Sequence, residues 1–394
     1  MSLPALKRAL DALDEVACCE GVFAATERVA IMLPDGDVGA ADDPRFVDWL
    51  LAHSELAPFG DGGETKLDPA VRNAQRLVAR DRATVNGFDP ALVLPEIEDA
   101  LSPRYHLEAT LTDVLVYPTD GRFARHRDTP YTRELVGTLV VGLPIRHTGG
   151  AFIVDDGAGP RTFDWGEPVA GLPWVALFSD VDHLVEPVIS GARVTLVYAL
   201  SSTGRRRDAA TAARYAAVHR AIDGLTDTAP IVIPCARHVI TGDAKAPDLE
   251  SLRGTDRELA QIFVDAGFRV AVRSCVIASP NNGAQASRFE QHEDLTPALM
   301  AAPLPPSVIA SLGQLVAFVP DTHISNDGGG DYPDEEATSL APYLLPGVPI
   351  DRWVIRTKAA ATLIHEALFD QYGFFGNGGF DAYLYTLAAL EVTR

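Results

Sequence analysis

The spacing of apolar residues indicates helices in the first hundred residues of the chain. Apolar residues recur at helical intervals over Leu3–Val16 and again over Phe46–Leu56. A further helix is predicted over residues 68–80, because Asp68-Pro69 offers an aspartate N-cap followed by proline in the first turn. We therefore expect residues 1–100 to form a mainly helical N-terminal flank.

Between residues 101 and 203 the pattern changes to short β-rich runs separated by turn residues such as Pro118–Gly121 and Thr148–Gly150. Too few helices intervene for a parallel sheet built from βαβ units. Closely spaced strands of this kind are typical of an all-β sandwich or barrel. The predicted strands are Thr112–Tyr117, Phe123–Asp128, Leu135–Leu143, Ala151–Val154, Arg161–Trp165, Trp174–Phe178, His183–Val188 and Val194–Leu200.

Residues 204–394 return to a mixture of helical and strand patterns. The polar, arginine-rich stretch Ser201–Asp208 is the best predicted boundary, and it precedes an α/β region of unknown role. The whole chain is therefore predicted to be mixed α and β. The predicted elements beyond the boundary are helices over Ala209–Leu225, Asp256–Ala266 and Ala359–Tyr372, and strands over Ile231–Ile240, Phe268–Ile277 and Ala382–Val392.

The composition of the chain restricts the kinds of partner that it could bind. The chain has 394 residues, of which 47% are hydrophobic and 22% charged, so it can bury a large core. Its formal net charge of -21 argues against binding nucleic acid or an anionic membrane, both of which need a basic surface. The acidity is explained either by a solvated, self-repelling surface or by a cationic substrate.

Apolar runs and cysteine spacing in the sequence indicate the cellular compartment of the protein. No run of 18 apolar residues occurs, and the first residues form an amphipathic pattern without an apolar signal core. The four cysteines form no CxxC pair, which disfavours both a zinc ribbon and a disulfide framework. We expect a cytoplasmic protein.

The most informative segment for chemistry is the predicted strand Phe123–Asp128. Residues i and i+2 of a strand point to the same face, so His126 and Asp128 would present an imidazole and a carboxylate side by side. Together with a second histidine they would form a facial triad, the ligand set that leaves open positions on Fe(II). A His-x-Asp pair alone is weak evidence, and a second copy, His292–Asp294, lies in a polar stretch where we interpret it as surface.

The first copy is followed by matching features. His183 lies at the end of an apolar run that begins at Trp174, and Arg193 and Thr195 share one face of the next predicted strand. A guanidinium can pair bidentately with a carboxylate, and a neighbouring hydroxyl can add a hydrogen bond. In chain order, the sequence therefore predicts two metal ligands at His126 and Asp128, a third metal ligand at His183, and then a residue that binds a carboxylate at Arg193.

Nearby polar and aromatic residues receive more ordinary interpretations. Asp180 and Asp182 are expected to flank the site, and His147 to be exposed beside a glycine turn. Arg125 and Arg127 alternate away from the metal face, toward solvent or an acidic substrate. Tryptophans in this region are expected in the core or the pocket wall, namely Trp165 and Trp174.

Residues of about 107–200 resemble the Fe(II)/2-oxoglutarate-dependent oxygenases, particularly the prolyl-4-hydroxylase-like branch. The resemblance covers roughly a quarter of the chain, over LVYPTDGRFARHRD, GTLVVGLP, HTGGAFIV and WVALFSDVDHLVEPVISGARVTLVY. It implies a central double-stranded β-helix (jelly roll) over 101–203. It also implies roles for individual residues: iron ligation by His126, Asp128 and His183, binding of the distal carboxylate of 2-oxoglutarate by Arg193, and a supporting hydrogen bond from Thr195.

Two positions bear on details of that resemblance. Tyr117 lies where relatives place a tyrosine near the co-substrate, although a core tyrosine explains it equally well. A further tyrosine that some relatives use after the His-x-Asp motif is replaced by Val141-Gly142. Asp128 is retained, and since halogenating members lack this carboxylate, hydroxylation is favoured over halogenation.

The resemblance implies a dioxygenase that hydroxylates an unactivated C–H bond of a peptidyl, amino-acid or small-metabolite substrate, releasing succinate and CO2. Its cofactors would be Fe(II), 2-oxoglutarate and O2, with ascorbate as a candidate reductant, and no nucleic acid or membrane partner is expected. Two alternatives remain open: a cupin-like metal-binding jelly roll with non-oxidative activity, and a catalytically silent binding module. The sequence leaves the oligomeric state open.

Overall fold

A computed structural model of the chain describes residues 3–13, 16–61, 64–128, 132, 134–155, 159–167, 169–206, 215–225, 229–237, 239, 248–280, 316–318, 352, 354, 362–365 and 382–394. The chain forms two compact units, one of residues 15–212 and the other of residues 1–14 with 213–394. The fold is mixed α and β, as predicted.

Helices make up a small share of the described residues. The α-helices are α1 (Leu3–Asp11), α2 (Phe46–Ala52), α3 (Leu94–Leu101), α4 (Ala216–Asp223) and α5 (Gly254–Asp265), and single 3-10 turns occupy Pro90–Leu92 and Leu249–Ser251. Among these residues no helix is long and apolar enough to cross a membrane.

Strands dominate both units. In the unit of residues 15–212 they are β1 (Cys18–Phe23), β2 (Ala30–Met32), β3 (Val38–Ala40), β4 (Glu55–Leu56), β5 (Phe59–Asp61), β6 (Glu64–Lys66), β7 (Arg72–Asn73), β8 (Gln75–Val78), β9 (Thr84–Asn86), β10 (Tyr105–Tyr117), β11 (Arg122–His126), β12 (Leu135–Gly142), β13 (His147–Gly149), β14 (Phe152–Asp155), β15 (Pro160–Phe163), β16 (Leu172–Phe178), β17 (Asp182–Val185), β18 (Val188–Gly191) and β19 (Arg193–Arg205). The other unit contains β20 (Ile231–Pro234), β21 (Arg269–Pro280), β22 (Val316–Phe318), β23 (Thr362–His365) and β24 (Ala382–Thr393).

Two antiparallel sheets organise the unit of residues 15–212. The major sheet has the strand order β1-β16-β12-β19-β10-β8-β4, and the minor sheet has the order β15-β14-β17-β11-β7. Apolar side chains of the central strands form the core, among them Trp174, Leu139 and Leu196, each 1% exposed or less. Burial of these side chains stabilises the sheet that carries much of the site described below.

The N-terminal flank is not mainly helical, and the prediction for residues 68–80 is wrong. Asp68 accepts a hydrogen bond from the backbone N–H of Ala70 at 2.8 Å, which forms a turn instead of a helix start. The chain then pairs with strands distant in sequence: Arg72 with Phe123 on β11, and Gln75–Val78 with β10. Tertiary strand pairing therefore overrides a local helix signal.

The predicted boundary at Ser201–Asp208 begins inside a strand, and the division between the two compact units falls slightly later, between residues 212 and 213. Strand β19 continues to Arg205, where it pairs with Tyr105 on β10. Arg206 then donates a hydrogen bond to Asp99 at 2.6 Å. The polar composition of this stretch reflects the solvent-exposed end of a long strand.

The second unit contains a mixed sheet of order β20-β24-β21-β22, in which β21 and β22 are parallel and the other pairs are antiparallel, and β23 also pairs with β24. The predicted C-terminal strand is confirmed as β24, and helices occur as α4 and α5. The predicted helix over Ala359–Tyr372 is wrong at its described residues, because Thr362–His365 is a strand that pairs with β24. His292–Asp294 lies outside the described residues.

Candidate metal centre and adjoining cavity

The two strands that hold the predicted metal ligands are neighbours in the minor sheet. β11 and β17 run antiparallel, with His126 directly opposite His183, and their imidazole centroids are 4.1 Å apart. Asp128 follows His126 by two residues, and its Oδ1 lies 3.7 Å from His183 Nε2. Ligand atoms of all three residues lie within 4.8 Å of one another, close enough to bind one ion.

Each imidazole is oriented by its own backbone. Nδ1 of His126 contacts the carbonyl oxygen of Ala124 at 2.9 Å, and Nδ1 of His183 contacts that of Val181 at 2.9 Å. An Nδ1–H that donates to a carbonyl leaves the Nε2 lone pair for a metal. Burial, followed by the charge of His183, lowers the pKa of His126 to about 3, which favours the neutral form that a metal requires.

The carboxylate of Asp128 is oriented by a residue that the sequence analysis missed. Thr138 on β12 donates its hydroxyl to Asp128 Oδ2 at 2.5 Å, which leaves Oδ1 on the side of His183. This contact joins the major sheet to the metal ligands of the minor sheet. A signal was present in the sequence, since Thr138 is the hydroxyl residue within the otherwise apolar run LVGTLVVG.

The charged residues that alternate with the ligands form ion pairs. Arg127 donates to both carboxylate oxygens of Asp182, at 2.9 and 3.1 Å, and Arg125 donates to Asp155 at 2.8 Å. Asp155 and Asp182 are themselves opposite each other on β14 and β17. These pairs tie together the backbones of three minor-sheet strands around the ligands.

A cavity of about 440 Å³ lies between the two sheets and includes the three ligands in its wall. The major sheet contributes alternate residues of β19, as expected for one face of a strand, together with Tyr198 near the end of the cavity-lining stretch. The other walls come from β8, β10, β12, β14 and β16. Charged side chains other than the ligands also line the cavity, namely Arg72, Arg76, Arg80, Asp113 and Arg193, and Thr195 lies on the same strand face as Arg193.

Arg193 and Thr195 are buried polar groups with unsatisfied hydrogen-bonding atoms. They are 2% and 1% exposed, and within the described part of the chain neither Arg193 Nη2 nor Thr195 Oγ1 has a hydrogen-bond partner. Burial lowers the pKa of Arg193 to about 10, so its guanidinium is still charged at neutral pH. A buried cation without a counter-ion is costly, and a bound anion would remove that cost.

Aromatic rings surround the guanidinium. The Arg193 Cζ atom lies 5.5 Å from the ring centroid of Tyr117, 5.8 Å from that of Phe152 and 5.4 Å from that of Trp165. Tyr117 is opposite Arg193 in the β10–β19 register and is 2% exposed, so it is both a core tyrosine and part of the cavity wall. The rings fix the guanidinium through cation–π contacts while leaving its nitrogens available.

The prediction that His147 is exposed is wrong. Its side chain is 4% exposed, with Nδ1 2.9 Å from the Ile145 carbonyl oxygen, and Nε2 has no hydrogen-bond partner in the parts of the chain that the structure describes. The close approach of Gly150 explains the burial: a Cβ there would lie 3.3 Å from Arg193 Cδ and 3.6 Å from His147 Cδ2. Burial and then the charge of Arg193 lower the pKa of His147.

The chain is similar to solved structures but not to any protein-family model or curated sequence. No protein-family model matches the chain, and no curated protein matches its sequence. Among solved structures, a 2OG-Fe(II) oxygenase family oxidoreductase from Burkholderia pseudomallei is 18% identical, with a TM-score of 0.31, over 53% of this chain and 95% of that one. A prolyl-4-hydroxylase from Pseudomonas putida is also 18% identical, with a TM-score of 0.29, over 52% of this chain and 100% of that one.

A third structure is a prolyl hydroxylase from Trichoplax adhaerens in complex with a peptide fragment of the hypoxia inducible factor oxygen degradation domain. It is 14% identical, with a TM-score of 0.29, over 50% of this chain and 88% of that one. Identities and TM-scores this low leave the function to be argued from the chain's own residues.

Proposed function

We propose that the chain is an Fe(II)- and 2-oxoglutarate-dependent dioxygenase that hydroxylates an unactivated C–H bond, with the facing sheets of residues 15–212 forming a double-stranded β-helix. The observation that carries the proposal is the presence of two complementary groups in one cavity wall. One is a His-Asp-His triad, and the other is a buried arginine and threonine with unsatisfied polar atoms.

The residues fit both cofactors. Two imidazoles with available Nε2 atoms and one carboxylate are the ligand set of non-haem Fe(II) oxygenases. Arg193 and Thr195 offer donors to a carboxylate in a water-poor site where such pairing is strong. When bound, Fe(II) and 2-oxoglutarate would supply the oxidising chemistry with O2, yielding succinate and CO2 alongside the hydroxylated product.

The other residues of the chain would bind and orient. Thr138 fixes the Asp128 carboxylate, and the Ala124 and Val181 carbonyls fix the imidazole rings. Phe152 and Val185 line the cavity beside the ligands and restrict the access of water. The substrate would enter the same cavity, as either a peptide side chain or a small metabolite.

A metal-dependent hydrolase or isomerase of the cupin kind would use the same three ligands. It would have no need of a buried guanidinium held by three aromatic rings in the same cavity, and Arg193 therefore favours the oxygenase. A silent binding module would likewise gain nothing from a buried, unpaired charge. Measurement of succinate formation separates the oxygenase from both alternatives.

The experiment is substrate-independent turnover of 2-oxoglutarate by the full chain with added Fe(II), with ascorbate as reductant. We expect the wild type to form succinate and Asp128→Ala to lose that activity, because it removes one of the three ligands. Asp48→Ala, at an exposed position in α2, is the matched control and should retain turnover. Full turnover in Asp128→Ala, or none in the wild type, would contradict the proposal.

A further inference from the structure

The cavity has a second group of positive charges, separate from Arg193. Arg72, Arg76 and Arg80 line it, and Asp113 is the carboxylate among them. In a chain with a formal net charge of -21, a concentration of arginines facing one cavity is not a consequence of average composition. It indicates that a further anion is accommodated there.

The strand register separates this group from the 2-oxoglutarate anchor. Arg76 and Thr195 lie opposite Leu115 on its two sides, so their backbones are two strand spacings apart, roughly 10 Å. Asp113 is opposite Val197, further along the sheet from Arg193. One carboxylate held by Arg193 and Thr195 would therefore not also bind Arg76 on β8.

Arg72, Arg76 and Arg80 all line the cavity because residues 72–80 pass from the minor sheet to the major sheet. Arg72 on β7 pairs with the minor sheet, whereas Arg76 on β8 pairs with the major sheet. The segment therefore closes one side of the cavity that also contains the metal ligands. Arg72 is next to the metal site, because its Cζ lies 4.4 Å from the Phe123 ring, which stacks at 3.5 Å on His126.

Arg76 and Arg72 differ in their contacts. Arg76 is shared between Glu55, at 2.8 Å, and Asp113, at 3.9 Å. Arg72 donates from Nη1 to the Pro58 carbonyl oxygen at 2.5 Å, while its buried Nε has no hydrogen-bond partner among the residues that the structure describes. An unsatisfied buried N–H beside a cavity favours an incoming acceptor.

We propose that the substrate carries a carboxylate that is bound by Arg72 and Arg80 while its target C–H bond faces the metal. This inference rests on the proposed function and specifies its substrate class. A single negative charge fits better than a phosphate dianion, because the half-buried Asp113 lies in the same wall and would repel a second charge. An acidic side chain of a peptide and a free acidic metabolite share this chemistry, and the test distinguishes the two sources.

The test compares acidic probes with their uncharged amides. The full chain with Fe(II) and 2-oxoglutarate is given Asp against Asn and Glu against Gln, both as free amino acids and within matched hexapeptides, with a phosphoserine hexapeptide as a further arm. Stimulated succinate formation is measured in air, and probe binding is measured by calorimetry without oxygen. We expect the acidic member of a pair to bind about tenfold more tightly, as charge-assisted hydrogen bonds predict.

Single substitutions test which arginines produce the preference for the acid over the amide. Arg80→Gln and Arg72→Gln should each reduce the acid-over-amide preference to about threefold or less. Arg82→Gln, at an exposed position that does not line the cavity, should keep it. Because Arg72 lies near the metal ligands, Fe(II) affinity is measured for each variant, and Arg80→Gln provides the result free of that contact.

Several outcomes would overturn the inference: equal responses to acid and amide, including no response to either; preference for the phosphoserine peptide; or an unchanged preference in both variants. A raised KM for 2-oxoglutarate in Arg80→Gln, without a changed probe preference, would assign these arginines to the co-substrate and also overturn it. Failure of the proposed function is distinguishable, because then the wild type forms no succinate even without probe, while calorimetry still measures probe binding.

Discussion

At the scale of single residues, the polar groups around the cavity differ in how far their hydrogen bonds are satisfied. The Nδ1 atoms of His126 and His183 have carbonyl partners, and Asp128 Oδ2 has Thr138. Arg193 Nη2 and Thr195 Oγ1 have no hydrogen-bond partner among the described residues. The satisfied atoms orient ligands, and the unsatisfied ones mark where a ligand would bind.

Thr138→Val should weaken Fe(II) binding by about tenfold to a hundredfold, the usual effect of losing a hydrogen bond that orients a ligand. Valine keeps the shape of threonine but cannot donate to Asp128. Anaerobic titration with Fe(II) measures the change. Thr138→Ser retains the hydroxyl and should restore most of the affinity, whereas equal affinities for all three proteins would show that this hydrogen bond does not support the metal.

Arg193→Met should stabilise the ligand-free protein while abolishing its response to 2-oxoglutarate. It removes a buried charge without a counter-ion and fills the same space with apolar atoms, which can add about 1–4 kcal/mol to the free energy of unfolding. Urea denaturation with and without 2-oxoglutarate measures both effects. Arg82→Met is the exposed control, and a ligand-dependent stabilisation that survives in Arg193→Met would contradict the role of Arg193.

The residues found from sequence share one property, which is that short-range geometry places them. His126 and Asp128 follow the two-residue alternation of a strand, and Arg193 and Thr195 do so again. Thr138 and Arg72 reach the site only through pairing between distant strands, which no local pattern specifies. His147 was misassigned for the same reason, since it pairs with Gly191 on the distant strand β18.

At the scale of elements, β12 links the core to the metal site. It lies between β16 and β19 in the major sheet, and Thr138 pairs with Leu177 on one side and Ala199 on the other. The neighbouring Gly137 has no room for a side chain, because a Cβ there would lie 1.9 Å from the Leu177 carbonyl oxygen. Close strand approach at Gly137 therefore fixes where Thr138 meets Asp128.

Gly137→Ala should destabilise the fold by about 1–3 kcal/mol, because backbone atoms must move to admit the methyl group. It should also weaken Fe(II) binding through the displaced Thr138. Thermal or urea unfolding and metal titration measure the two effects. Gly204→Ala, where an added Cβ meets nothing within 4 Å, is the control; equal stability of both variants would show that β12 can shift without cost.

Elements differed in how well the sequence predicted them. Strands such as Leu135–Gly142 were expected because they are apolar and bounded by turns, whereas residues 68–80 carried a valid helix-start signal. That signal produced only the turn at Asp68, since pairing of β7 and β8 with distant strands contributes more than local propensity. The same pairing brings Arg72 and Arg76 to the cavity.

At the scale of the whole molecule, the net charge of -21 describes the chain and not the cavity. Four arginines and two carboxylates line the cavity, so positive charge is concentrated where the proposed anions would bind. The protein field would otherwise repel a dianion such as 2-oxoglutarate. The overall acidity and the proposed anionic ligands are therefore compatible, because the attraction is local and partly buried.

The unit of residues 15–212 contains every residue of the proposed site, and its flank strands complete both sheets. β1 pairs along its whole length with β16, β8 with β10 and β7 with β11.

We predict that a fragment of residues 15–212 folds and binds 2-oxoglutarate with an affinity within about threefold of that of the full chain. A fragment of residues 101–203 should fail to fold, because it exposes the strand edges and apolar surface that the flank covers. Circular dichroism and calorimetric titration of both fragments measure this. A folded, binding-competent 101–203 fragment would show that the flank strands are dispensable, and an unfolded 15–212 fragment would show that the division into compact units does not correspond to independent stability.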